Sequence, residues 1–202
     1  MPIFFQQQIN EFTRLGVWKI EETEEFFQSN VPQHRDVTHP HKRLQHLAGR
    51  YLLQYLFPGF PYEMVQIADT KRPFLPNEEY HFSISHCGDY AAAIVSSRQR
   101  VGVDVELPTE KVGAIKEKFL SPAELDRLQD PTDLYWLTVC WSAKEAVFKW
   151  YGEGKVDFKQ HIQFRQLNEA DNTIDCFFEK NNTPLQINFH QIDKLVLSWV
   201  VN

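Results

Sequence analysis

The sequence predicts an α+β fold of two similar lobes, each a small antiparallel sheet packed with a long helix. Three observations predict it. Strand-like runs recur along the 202 residues. A long segment at 41–57 carries apolar residues at three- and four-residue spacing, and a second long helix reads at 134–151. The order strands, helix, strands then occurs twice. The expected division is 1–100 for the first lobe and 101–202 for the second, with the active site at their interface.

The elements follow in order. Residues 3–9 and 14–20 read as short strands joined by a turn. Glu21 to Ser29 reads as a helix start with acidic residues in its first turn. Residues 31–40 form a His-rich connection. His41 to Phe57 is a helix, because Leu44, Leu47, Tyr51, Leu52, Tyr55 and Leu56 share one face, and Pro58-Gly59 ends it. Strand-like runs follow at 64–68, 81–85, 91–97 and 101–106. In the second half, Ser121-Pro122-Ala123-Glu124 is a capping box. Leu134 to Tyr151 is a long helix stopped by Gly152 and Gly154. Strand-like runs close the chain at 161–166, 173–179, 185–190 and 195–201.

Composition narrows the function. Hydrophobic residues at 43 % supply a sizeable core and exclude a disordered chain. No apolar run approaches the ~20 residues of a membrane helix, and the N-terminus has no signal-peptide pattern. A net charge of −6 argues against a nucleic-acid binder. Three widely spaced cysteines, Cys87, Cys140 and Cys176, read as reduced thiols of a cytoplasmic protein.

Three segments carry chemistry. In Gly102-Val103-Asp104-Val105-Glu106, residues two apart share a strand face, so Asp104 and Glu106 are neighbouring carboxylates. Such a pair repels unless a cation lies between, and oxygen ligands suit Mg²⁺. The plain alternative is an edge strand with a solvated acidic face. In Trp141-Ser142-Ala143-Lys144-Glu145-Ala146-Val147-Phe148-Lys149, Glu145 and Lys149 share a helix face. Glu145 is a third carboxylate for the metal and Lys149 a partner for phosphate. The alternative is an ordinary surface pair. In Phe82 to Tyr90, Ser85 and His86 end a strand before a Gly-Asp turn and form either a phosphate grip or a structural histidine. A Ser–His nucleophile is discounted, because no G-x-S-x-G is present. Lys42, Arg43, Arg50, Lys71 and Arg72 read either as cations for phosphate or as a solvated basic patch. The histidines 34, 39, 41 and 46 match no zinc spacing.

Together these segments resemble the 4′-phosphopantetheinyl transferase superfamily, in its larger two-lobed type. The family's G-[IV]-D-[IV]-E matches Gly102 to Glu106, its W-[SA]-x-K-E-[SA]-x-x-K matches Trp141 to Lys149, and its I-S-H matches Ile84-Ser85-His86. Residues 42–50 and 83–87 are similar to the enterobactin-synthase subgroup. One departure is visible: the family's Gly-Lys-Pro reads Lys71-Arg72-Pro73. The resemblance implies transfer of the phosphopantetheine arm of coenzyme A to a serine of an apo acyl or peptidyl carrier protein, with release of 3′,5′-ADP. It implies Mg²⁺ on Asp104, Glu106 and Glu145. Glu145, Lys149 and His86 would serve catalysis, and Arg43, Arg50, Arg72, Ser85, His86 and Lys149 would bind coenzyme A. A monomer is expected, with neither nucleic acid nor membrane as partner. The other readings are a coenzyme A or carrier-binding module without turnover, and a metal-dependent pyrophosphohydrolase.

Overall fold

A computed structural model of the chain describes residues 3–31 and 37–202. His34, part of the histidine run considered above, lies outside the described residues. The fold mixes helices with antiparallel sheets, and the chain divides into two compact units, Met1–Val101 and Gly102–Asn202.

In the first unit, β1 (Ile3–Asn10) and β2 (Thr13–Lys19) form a hairpin. The short α1 (Glu24–Gln28) follows, then α2 (Pro40–Leu56). Pro40 suits the first turn of α2, where its missing N–H costs nothing. A single 3₁₀ turn (Tyr62–Met64) and a two-residue ribbon of β3 (Gln66–Ile67) and β4 (Pro73–Phe74) replace the strand expected at 64–68. Pro73 donates no ladder hydrogen bond, which keeps that ribbon short. Strands β5 (His81–Cys87) and β6 (Tyr90–Ser96) complete a sheet in the order β1-β2-β6-β5. Leu47, Leu52, Leu53 and Leu56 of α2 pack on Trp18, Ala93 and Val95 of the sheet. The Arg14 guanidinium donates to Leu56 O at 2.7 Å, meeting a carbonyl that the end of α2 leaves open.

The second unit holds a five-stranded sheet in the order β7-β11-β10-β9-β8. Its strands are β7 (Val101–Glu106), β8 (Ile162–Asn168), β9 (Thr173–Phe178), β10 (Thr183–Ile192) and β11 (Leu195–Val201). Its helices are α3 (Glu110–Phe119), α4 (Pro122–Leu125), α5 (Leu134–Tyr151) and α6 (Phe158–His161). The capping box at Ser121 forms as expected, with both reciprocal hydrogen bonds. Val139, Ala143 and Val147 of α5 pack on Ile187, Val196 and Val200.

Two features position the site. Gly102 lies so close under α5 that a Cβ there would collide with Ala146 O and approach the Trp150 nitrogen to 2.7 Å. Only glycine permits this approach of strand and helix. On the other flank, Lys144 is wholly buried. Its Nζ donates to both oxygens of Glu124, at 2.8 and 3.0 Å, and to Phe158 O and Ile162 O, each at 2.8 Å. Glu124 Oε1 also accepts from Phe164 N at 3.0 Å. Every ammonium proton is thus used, as a buried charge requires. Among the described residues, no helix is long and apolar enough to cross a membrane.

Candidate functional site

The site forms where α5 lies along β7. On α5, Trp141, Glu145 and Lys149 recur every fourth residue and share one face. On β7, Gly102, Asp104 and Glu106 alternate with the valines. The contacts run antiparallel. Gly102 meets Ala146 and Trp150, Lys149 Nζ meets Asp104 Oδ1 at 2.7 Å, and Trp141 Nε1 donates to Glu106 Oε1 at 3.3 Å. Glu145 stands between the two outer pairs in the sequence of α5. Its carboxyl is pushed up to about 7 by burial and then by the Asp104 carboxylate, with Lys149 opposing and Glu106 adding to the rise. The three carboxylates and Lys149 therefore form one electrostatic group.

Asp104 is 3 % exposed, so β7 does not present the solvated acidic face weighed from sequence. The pair Glu145/Lys149 is likewise half-buried and facing β7, which sets aside the surface-pair alternative. With all three carboxylates ionised against one ammonium, the group is two charges negative. All of its donors toward a metal are oxygen, so the set fits a hard divalent cation. As the side chains stand, with the Lys149 ammonium beside Asp104, no three Asp, Glu, His or Cys among the described residues form a metal cage.

The remaining predicted residues lie in the first unit. His86 is exposed and Ser85 buried near the end of β5. The turn that follows is tied to α2: His41 Nε2 lies 3.1 Å from Gly88 O, and Gln45 Nε2 donates to the same oxygen at 2.7 Å. Arg43 makes a two-pronged bond to Glu24, Nε to Oε1 at 2.7 Å and Nη2 to Oε2 at 2.9 Å, which joins α1 to α2. Arg50 is 2 % exposed, with Nε 3.0 Å from His46 Nε2, and burial lowers its pKa. Arg72 is half-buried before β4 and, with Arg100, depresses the pKa of His81, whose own burial is the larger cause. Lys71 adopts φ +65°, the left-handed conformation that favours glycine. The position where the family's pattern carries glycine thus holds a lysine in a conformation that glycine adopts most readily.

Sequence reasoning gave no role to two residues, Lys144 and the indole of Trp141. The signal for Lys144 was a lysine on a helix whose other neighbours are apolar. The signal for Trp141 was its four-residue step to Glu145 on a shared face.

Comparison with known proteins gives the family of the chain. The family model of the 4′-phosphopantetheinyl transferase superfamily matches residues 100–200, the half of the chain that holds β7 and α5. The chain is 38 % identical over 113 residues to enterobactin synthase component D of Escherichia coli O157:H7, covering 54 % of each protein. It is 31 % identical over 127 residues to a putative 4′-phosphopantetheinyl transferase of Haemophilus influenzae, covering 58 % of this chain and 53 % of that protein. To the 4′-phosphopantetheinyl transferase AcpT of Escherichia coli O157:H7 it is 30 % identical over 116 residues, covering 55 % of this chain and 59 % of that one. The chain thus spans about half the length of the relatives it matches. It belongs to the 4′-phosphopantetheinyl transferase superfamily.

Proposed function

We propose that this protein transfers the 4′-phosphopantetheine group of coenzyme A to a serine of an apo acyl or peptidyl carrier protein. The observation that carries the reading is the alignment of Glu145 and Lys149 on α5 with Asp104 and Glu106 on β7. In the reaction the carrier serine oxygen forms a bond to the phosphorus that bears the pantetheine arm. The bond from that phosphorus to the bridging pyrophosphate oxygen breaks, and 3′,5′-ADP leaves with the electron pair. The serine proton passes to the Glu145 carboxylate. Lys149 steadies negative charge on the pyrophosphate.

Asp104, Glu106 and Glu145 would hold Mg²⁺. When bound, that ion neutralises the pyrophosphate oxygens. Ser85, His86 and Arg72 grip the nucleotide and its 3′-phosphate. Arg43 would join them by exchanging the Glu24 carboxylate for phosphate. Arg50, held inside α2, would act on the nucleotide only through His46. The chain supplies no nucleophile, because the partner's serine provides it.

The same reading takes the two units as similar lobes, since each sets one long helix, α2 or α5, on an antiparallel sheet. It takes the active form as a cytoplasmic monomer. The test is the intact mass of apo carrier proteins after incubation with the protein and coenzyme A, with Mg²⁺ or with EDTA. A Mg²⁺-dependent gain of one phosphopantetheine is expected. No gain on several carriers, with coenzyme A still bound, would replace the transferase by a binding module. Release of 3′,5′-ADP without a carrier would indicate a pyrophosphohydrolase.

A further inference from the structure

The indole of Trp141 has a place in the site that its size alone does not explain. Its Nε1 donates to Glu106 Oε1 at 3.3 Å, across 35 residues of sequence. An indole N–H is a donor only and does not ligate metals. Its ring is clamped between Phe119, at 5.1 Å between centroids and 67°, and Phe158, at 5.7 Å and 36°. The ring belongs to a packed cluster that includes Leu120 and Leu137. The donor therefore stands fixed beside the carboxylate of Glu106, at the end of β7.

We infer that Trp141 is a positioning residue that holds the Glu106 carboxylate in the orientation a divalent cation needs. The inference rests on the metal reading proposed above. Hydrogen-bond partners of metal ligands typically contribute about 10–100-fold in metal affinity, because they fix the ligand before the ion arrives. Trp141 plays that part for Glu106, while Lys149 pairs with the other strand carboxylate, Asp104.

The test uses the metal alone, in the full chain. Mn²⁺ binding is followed by electron paramagnetic resonance for the unaltered protein, for Trp141→Phe and for Phe158→Leu. Trp141→Phe keeps an aromatic ring and loses the N–H. Phe158→Leu loosens the clamp and leaves the N–H. The expected result is Mn²⁺ affinity lowered about 10-fold or more by Trp141→Phe and little changed by Phe158→Leu. Equal affinity for Trp141→Phe and the unaltered protein would overturn the inference. So would an equal loss in both variants, which would make the effect one of packing. Absence of Mn²⁺ binding in the unaltered protein would overturn the metal reading and this inference together.

A second measurement needs no stable variant. In the unaltered protein, Mg²⁺ should move one of the five tryptophan indole N–H resonances in a nitrogen–proton correlation spectrum. A spectrum in which Mg²⁺ binds and no indole resonance moves would count against the inference. In the transferase assay, Trp141→Phe should raise the Mg²⁺ concentration for half-maximal rate and leave KM for coenzyme A unchanged.

Discussion

Lys149 and Asp104 form an ion pair of 2.7 Å between a helix and the strand beneath it, with Asp104 nearly enclosed and Lys149 a quarter exposed. The pair is one rung of a ladder. Trp141 and Glu106 form another, and Glu145 stands between them on the same helix face. The helix climbs ~12 Å from Trp141 to Lys149, whereas the strand covers ~7 Å from Glu106 to Asp104. The longer helix path leaves room for a third carboxylate, Glu145, between the two pairs, and it is this carboxyl that carries the raised pKa.

Glu145→Gln should abolish proton acceptance while keeping the shape of the side chain. Transfer of phosphopantetheine to an apo carrier should fall by about 10²–10⁴-fold. The circular dichroism spectrum should remain that of the unaltered protein, because the neutral amide relieves a buried charge rather than creating one. The rate of holo-carrier formation by mass spectrometry checks this. A variant that keeps full activity would remove Glu145 from the mechanism.

Gly102→Ala tests the approach of strand and helix. The new methyl group meets backbone of α5, the Ala146 oxygen and the Trp150 nitrogen, neither of which can move by a change of rotamer. The cost should be about 3 kcal/mol or more, toward the severe end for added volume in a packed core. Urea denaturation measures it. Gly49→Ala is the control: its methyl would meet a side-chain atom, Ile84 Cγ2, at 2.6 Å, so Ile84→Ala, which removes that carbon, should recover part of the loss there.

Much of this architecture is legible in the sequence, and the parts that are not have physical causes. The periodicity of Leu47, Leu52 and Leu56 marks α2, and Ser121 with Glu124 marks the start of α4. Alternation in 101–106 marks β7 and puts Asp104 and Glu106 on one face. Depth is not legible from that pattern: the same alternation describes a solvated edge and the buried strand that forms. Helix α3 escapes because Gly113 interrupts it and Thr109 supplies no side-chain cap, although Val112, Ile115 and Phe119 keep helical spacing. The partnership of Lys144 with Glu124 spans 20 residues and joins two helices, so no local signal announces it.

Lys71→Gly follows from the one visible departure from the family's pattern. A lysine at φ +65° carries the steric cost of the left-handed conformation, which glycine avoids. Glycine gives back some of that gain through the entropy of the unfolded chain. The net effect should be a melting temperature raised by about 2 °C, read by differential scanning calorimetry. A lower melting temperature would mean that the lysine side chain makes a stabilising contact that outweighs the strain.

The two buried thiols make a prediction in pH. Burial pushes both Cys140 and Cys176 up from the usual 9.0 to about 12, with Glu124 adding to the rise and Lys144 opposing it. The folded protein therefore holds both protons at a pH where the unfolded chain has released them. Their contribution to stability is complete below pH 9.0 and is lost as the pH rises from there toward 12. Thiolates, not thiols, react with alkylating reagents, so a native sample at pH ~8 should label at Cys87, which is half-buried, and spare Cys140 and Cys176. Addition of urea should bring the other two into reaction together at the unfolding midpoint. Peptide mapping after iodoacetamide distinguishes the three sites. Labelling of Cys140 or Cys176 well below that midpoint would show that the core around Lys144 and Glu124 opens before the rest of its unit.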